Sequence, residues 1–370
     1  NLKTFLSQQD EFTDYNFEGS GMSVLLDTLA YNTHYLAYNA NMLANEMYLD
    51  SADQRSSVVS LAKQVGYTPK SAVSSTARID VVVNNATGAT VTMSRGTKFS
   101  TTVDGTNYSF VNNADVSISP VDGVYKFSNL DIYEGTYLNY KYTANTSDKD
   151  QRFIIPNDNV DTTTLTVKIQ ESTSDSTTNT YTLAGGVTGI DSTSKVYFLQ
   201  EVENGRFEVY FGDGVIGKKL EDGNIVILEY IVTNKAESNG AKTFELAGSV
   251  GSFNNVTITT KANAQGGSEA EGKESIRFNA PLQFQSQNRA VTPDDYKAII
   301  QNEFGDVDAV AVWGGESHDV PDYGKVYISV KPKSADTLTA TQKETLKTNI
   351  LKPKNVVSIT PVLVDPEYTY

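Results

Sequence analysis

The sequence predicts a multidomain α+β protein with an N-terminal helical bundle segment, a central antiparallel β domain and a small C-terminal α/β (αββαβ) domain. Three observations predict it. Apolar residues recur at steps of three and four through the first fifty positions, the spacing of a helix face. From residue 73 the pattern changes to short alternating runs separated by Asp-Gly dipeptides, which reads as antiparallel strands joined by tight turns. Beyond residue 285, helix-capping sequences alternate with strand-like runs. The expected boundaries are 1–72, 73–262, a linker over 263–285, and 286–370.

In the first segment, Met22, Leu25, Leu29, Thr33, Leu36, Ala40, Leu43 and Met47 form one heptad seam on a helix predicted over 20–50. At 1.5 Å per residue that helix is roughly 45 Å long. A second stripe, Tyr31, Tyr35, Tyr38 and Met42, lies on the other side, because residue 31 is rotated about 200° from residue 29. A helix that is apolar or aromatic on two faces must be covered on both, so the segment reads as the middle of a bundle. Periodicity alone also allows an ordinary buried helix of a single-chain helical domain. The tyrosine hydroxyls and the small Thr33 and Ala40 favour a mixed, close-packed bundle over a self-pairing leucine zipper. Ser51 and Gln54 have capping-box spacing for a second helix bearing Val58, Val59, Leu61, Ala62 and Val65, ended by Gly66 and Pro69.

The central strands are predicted at 79–83, 108–111, 137–142, 165–169, 196–199, 207–211 and 225–232. Asp-Gly at 104–105, 122–123, 213–214 and 222–223 each marks a favoured hairpin turn, since both residues tolerate positive φ. The Ser/Thr-rich stretch 171–180 reads as a loop or irregular hairpin, and 263–280, rich in Gly, Ala and Glu, as a linker. In the last segment Thr292 caps a helix with Pro293 at its first position and Asp294 and Asp295 in its first turn. Tyr296, Ile299, Ile300 and Phe304 give that helix one face, and Gly305 ends it. Strands at 307–313 and 325–331 follow, then a helix opened by Thr339 and Gln342 and bearing Leu346 and Ile350, and a strand at 356–364.

Composition removes several function classes. A net charge of −15 with scattered lysines disfavours direct nucleic-acid binding. The absence of cysteine excludes disulfides and thiolate metal sites. No apolar run approaches the ~18–20 residues that a membrane-spanning helix needs, and no signal peptide is visible, although Asn1 is not a start methionine. Twenty-one Tyr and fifteen Phe supply large amphipathic side chains for cores and interfaces.

No motif carries a reaction. Residues 267–274 nearly spell a phosphate-binding loop, but Glu274 stands where Ser or Thr would hold magnesium, and Glu269 and Glu271 would repel phosphate. His34 and His318 are too far apart in sequence for an i, i+4 zinc pair, and no nucleophile elbow presents a serine. The acidic stretches 157–161 and 213–214 read as Asx turns, since the first lacks the glycine and terminal glutamate of a calcium loop. Glycosidase carboxylate pairs are set by three-dimensional spacing, and forty-five acidic residues offer no basis for choosing two. No catalytic, cofactor or metal residue is therefore predicted.

The glycines, turns and helix faces that remain resemble the baseplate wedge protein of T-even-like contractile-tailed phages, within the wider baseplate J-like group. In the helical zone the resemblance rests on residues 14–20, on Leu29 to Thr33, and on Arg55 to Val59 running on to Gly66 and Pro69. It continues through Arg95-Gly-Thr97, through Phe211-Gly-Asp-Gly214-Val-Ile-Gly217, which is its most specific stretch, and through Asp222-Gly223 and Asn239-Gly240-Ala241. Later it includes Gly266-Gly267, Glu274 to Arg277, Ala280-Pro281, Arg289 to Tyr296 and Lys331-Pro332-Lys333. The order of these segments over some 300 residues makes the match specific. Two positions depart: Ser94 replaces a usual proline and Lys235 a usual glycine, both softening local turns. The chain also looks shorter than the family's larger members.

The resemblance implies a non-enzymatic virion subunit of the tail baseplate, assembled in the host bacterial cytoplasm. Its N-terminal helices would join those of a second copy and of another wedge protein in a shared bundle. Its C-terminal domain would pair with a neighbouring copy, closing six wedges into a ring around the hub, and the subunit would relay the change that triggers sheath contraction. The expected bundle interface is Met22, Leu25, Leu29, Leu36, Leu43 and Met47 with Tyr31, Tyr35 and Tyr38; the expected dimerisation residues are Tyr296, Ile300, Phe304 and Trp313, or strand edges. A flexible linker would let the C-terminal domain reach its neighbour. Two alternatives stand beside this: a baseplate component of a tailocin or type VI-like injection system, and a carbohydrate-binding tail protein.

Overall fold

The computed structural model describes residues 2–12, 15–16, 19–148, 151–184, 190–286, 289–304, 307–317, 320–332, 337–352, 354 and 359–367. The chain begins with α1 (Leu2–Leu6), a 3₁₀ turn at Asp10–Phe12, α2 (Gly21–Asn45) and α3 (Arg55–Gln64). At 1.5 Å per residue the 25 residues of α2 span about 37 Å, somewhat less than its apolar periodicity predicts, and Met47 falls in the turn beyond it. The expected capping box at Ser51 and Gln54 does not form. The Ser51 hydroxyl instead donates to the Asn45 carbonyl at 2.7 Å, and Gln54 is the N-cap without a side-chain bond. The Glu46 carboxylate does the capping from the preceding turn, accepting the backbone N–H of Asp53 at 2.8 Å and of Gln54 at 3.2 Å.

The central region is two β units, one inserted in the other. The first contains β1 (Thr76–Val83), β2 (Val91–Met93), β3 (Lys98–Val103), β4 (Thr106–Asn112), β5 (Val116–Ile118) and β6 (Tyr125–Glu134). The chain then builds β7 (Thr136–Thr143), β8 (Phe153–Ile154), β9 (Val160–Gln170), β10 (Thr178–Leu183), β11 (Val196–Glu201), β12 (Phe207–Phe211) and β13 (Ile225–Val232). It returns to the first unit as β14 (Glu245–Leu246) and β15 (Val256–Gln265). The sheet orders are β14-β3-β4-β6-β1-β15 with a β2-β5 ribbon, and β7-β13-β9-β10-β11-β12-β8. Each sheet has its own core: Ile79, Val81, Phe99, Phe110 and Phe127 in the first, Val167, Val209, Val226, Leu228 and Tyr230 in the second. Pairing in these sheets is antiparallel except between β10 and β11.

The outward and return crossings meet at one point. The Glu134 carboxylate, fully buried, accepts from the Thr233 hydroxyl at 2.7 Å, the Asn234 backbone at 2.9 Å and the Asn234 side chain at 2.7 Å. Gly135 makes the turn at φ +128, where a Cβ would lie 2.3 Å from the Val232 carbonyl oxygen. A second stitch is Arg95 of the first unit, which bonds Glu229 of β13 at 2.6 Å and the Thr164 carbonyl at 3.0 Å and lies over the Tyr137 ring at 5.1 Å. The turn that carries Arg95 is closed by Thr97, which bonds the Ser94 carbonyl through both its N–H and its hydroxyl.

Two of the four Asp-Gly turns are as predicted: Asp104-Gly105 and Asp122-Gly123 hold both residues at positive φ, at the β3–β4 hairpin and between Val121 and Val124. At 213–214 and 222–223 only the glycine is left-handed, and these are loop bends. Lys235, where the resemblance leads us to expect glycine, sits at φ +66. A side chain in that region costs about 1 kcal/mol relative to glycine. Its ion pair with exposed Glu269, at 2.6 Å, offsets little of that. Lys235→Gly is therefore expected to raise stability by about 0.5–1 kcal/mol, read as a higher denaturation midpoint.

The expected linker over 263–285 is not one. Residues 263–265 complete β15, and most of the remainder is α4 (Lys273–Ser286), whose Ile276 and Ala280 are fully buried against Val58, Val59 and Ala62 of α3. This i, i+4 pair was masked by the glycines before it and by Pro281 within it. The C-terminal unit follows as α5 (Pro293–Glu303), β16 (Ala309–Gly314), β17 (Lys325–Lys331), α6 (Ala340–Thr345) continuing in a π-helical stretch Leu346–Leu351, and β18 (Thr360–Val364). Thr292 with Asp295, and Thr339 with Gln342, both form the reciprocal capping box. The predicted Gly305 terminus and positions 356–358 of the predicted last strand lie outside the described residues.

Candidate partner-helix interface

A helix is normally amphipathic because one stripe is buried against its own fold. In α2 only Leu26 is buried, while α1 touches its first turns through the Lys3–Asp27 pair at 3.2 Å. The heptad residues Leu25, Leu29, Leu36 and Leu43 are 57–64% exposed, and Met47 is exposed beyond the helix end, whereas Met22 is half-buried. The second stripe is equally open, with Tyr31, Tyr35 and Tyr38 all exposed. Both faces inferred from the periodicity therefore lie in solvent on one helix.

The tyrosine face is partly ordered before any partner arrives. The Tyr31 and Tyr35 hydroxyls are 2.8 Å apart, with ring centroids 4.5 Å apart. That bond holds the Tyr31 hydroxyl above its ordinary pKa. Thr28 and Thr33 turn their hydroxyls back onto the carbonyls of Val24 and Leu29, so these two polar groups are satisfied along the helix. Along the two stripes the helix presents apolar area and aromatic ring, the chemistry of a helix–helix contact.

The C-terminal unit places the other predicted residues differently. Tyr296 and Ile300 are fully buried in that unit's core with Val310, Ile328 and Leu346, and Phe304 packs against the same core. Their periodicity marks the face α5 turns toward its own sheet, so Tyr296 and Ile300 are not a dimer surface. Trp313 is on the opposite side of the sheet, stacked on Tyr327 at 6.1 Å and 13°. Cross-strand register sets Trp313, Tyr327 and Val362 in one row and Ala311, Ser329 and Val364 in the next. Trp313, Tyr327, Ala311, Ser329 and Val364 line an open groove of about 610 Å³ rimmed by Lys331, Asp365 and Glu367. The alternation in β17, with Val326, Ile328 and Val330 buried and Tyr327 and Ser329 half-buried, is the sequence signal that could have located this face.

The remaining chemical motifs resolve into structure. Lys273 of the phosphate-loop look-alike bonds Asp53, and Glu271 is buried, accepting from Tyr67, Ser275 and Asn279. Asp213 accepts the N–H groups of Val215 and Ile216, an Asx turn, and Asp161 accepts from Ser74 and Thr163. His34 lies exposed on α2 beside Tyr35, and His318 is outside the described residues. Among the described residues no group of three or more His, Cys, Asp or Glu gathers as a metal site would, and no helix is long and apolar enough to cross a membrane.

Family models match three segments of the chain. Residues 1–67 match the model of the baseplate wedge protein gp6-like helical domain, and residues 140–243 that of the bacteriophage baseplate wedge protein gp6 third domain. Residues 292–364 match the baseplate structural protein gp6 C-terminal domain I. The baseplate wedge protein gp6 of Enterobacteria phage T4 is 32% identical across the whole of this chain, which spans 58% of that relative's length. A solved six-fold symmetrised baseplate of the anti-feeding prophage aligns over 96% of this chain and 74% of its own, at 11% identity and a TM-score of 0.33.

Proposed function

This chain belongs to the gp6-like family of baseplate wedge proteins, and we propose that it is a non-enzymatic wedge subunit whose α2 is a docking arm. The observation that carries this reading is the exposure of both stripes of α2. In the baseplate, Leu25, Leu29, Leu36 and Leu43 with Tyr31, Tyr35 and Tyr38 pack against helices of a second copy and of another wedge protein. Six wedges so joined form a ring around the hub and relay the change that triggers sheath contraction.

Removal of residues 1–45 tests the arm. The cut leaves α3 in place, because Val58, Val59 and Ala62 cover Ile276 and Ala280 of α4. The truncated chain is expected to stay soluble and folded and to lose co-purification with the other wedge proteins. Unchanged complex formation would overturn the assignment.

Pairing of C-terminal units is assigned to the open sheet face, not to α5. Its centre is aromatic and aliphatic and its rim carries both charge signs, as a self-complementary two-fold contact requires. Trp313→Ala is expected to weaken pairing of two copies by roughly 2 kcal/mol or more, about thirtyfold in the dimer dissociation constant. Sedimentation equilibrium reads this, and an unchanged constant would place the contact elsewhere.

A further inference from the structure

The base of α2 is held by a helix more than two hundred positions away in sequence. The Arg277 guanidinium of α4 donates through Nε to the Leu49 carbonyl at 3.1 Å and through Nη2 to the Ala52 carbonyl. Lys273, one turn earlier, donates to the Asp53 carbonyl at 2.5 Å and its carboxylate at 2.7 Å. From the arm side, Glu46 reaches forward to the Asp53 and Gln54 amides. Nearly every turn between α2 and α3 is therefore fastened by a charged group.

The next residue continues the chain of contacts into the body. Arg55 makes a two-point pair with buried Glu201 of β11, at 2.8 and 2.9 Å, and also donates to the Glu271 carbonyl just before α4. The guanidinium fork suits both positions: Arg277 spans the Leu49 and Ala52 carbonyls and the Glu274 carboxylate, and Arg55 the Glu201 carboxylate and the Glu271 carbonyl.

We propose that Arg277 and Lys273 clamp the root of α2 so that arm, α3, α4 and the inserted β unit move as one lever. A displacement imposed on the arm by its partners is then delivered to α4, the last helix before the C-terminal unit, without loss at the elbow. The use of this lever rests on the docking role of α2, but the clamp at its root belongs to the isolated chain.

The chain has no cysteine, so spin labels at Asn41→Cys on α2 and Thr182→Cys on β10 are unique. Pulsed dipolar spectroscopy on the otherwise full chain is expected to give one narrow distance peak. Arg277→Ala should lose that single peak to a broad spread, Arg277→Lys should fall between, and Lys273→Ala, whose side chain is partly exposed, should broaden it without unfolding. A narrow peak in both Arg277→Ala and Lys273→Ala would overturn the clamp. Because no partner is present, that failure is distinct from failure of the docking role, which would show as intact co-purification of the arm-deleted chain.

Discussion

Replacing Leu29 and Leu36 together by glutamate is expected to abolish co-purification of the chain with the other wedge proteins while leaving its own unfolding midpoint almost unchanged. Both side chains are exposed and lie one heptad apart on the same seam of α2. In the free chain they are surface substitutions, worth within about 0.5 kcal/mol each. In a bundle each leucine contributes about 1.5–3 kcal/mol of burial, and each glutamate would have to be desolvated in its place. The combined loss is at least about 5 kcal/mol, several thousandfold in affinity. A large drop in the midpoint would mean that α2 packs on its own body; retained binding would mean that another surface carries the contact.

Gly135→Ala is expected to be the most damaging conservative change in the β region. The residue sits at φ +128 where the chain leaves the first sheet, and an added Cβ would meet the Val232 carbonyl oxygen at 2.3 Å and Ile231 Cγ2 at 2.7 Å. These atoms belong to the returning strand, so relief would move the junction that Glu134 stitches. The expected cost is about 3 kcal/mol or more, lowering the melting midpoint by roughly 5–10 °C. Gly105→Ala is the matched control: it is also left-handed, at φ +82, but has nothing within 4 Å of the added carbon, so it should cost only about 1 kcal/mol. Equal losses at the two positions would show that the crossing is not tightly packed.

Local chemistry made much of this molecule legible. The caps at Thr292 and Thr339 are short-range signals and both form. Strands such as Phe207–Phe211 and Ile225–Val232 were clear because they are short runs rich in aromatic and β-branched residues, set off by the Asp-Gly turns at 213–214 and 222–223. β6 was not, because Asn129 at φ +53 bulges it and breaks its alternation. The insertion of one sheet in another was invisible, since β1 pairs with both β6 and β15 and nothing near β1 in sequence says so. α4 was read as a linker because its buried pair is short and its other apolar residues, Phe278, Leu282 and Phe284, face outward.

The interface residues divide on the same physical ground. On α2 two stripes were present, more apolar surface than one neighbour could cover, and that excess is what pointed outward. On α5 there was a single stripe, and a single stripe is what a helix spends on its own core; Tyr296 and Ile300 followed that rule. Periodicity reports which residues share a face. It does not report which face is left over once the chain has folded.

Backbone amide hydrogen exchange over Gly21–Asn45, for the isolated chain and for the assembled wedge, tests the docking arm most directly. With almost no tertiary cover on α2, its amides should exchange much faster alone than those of α3 or α5, and become strongly protected on assembly. Protection of α2 that is already high in the isolated chain, or that does not rise on assembly, would contradict the account.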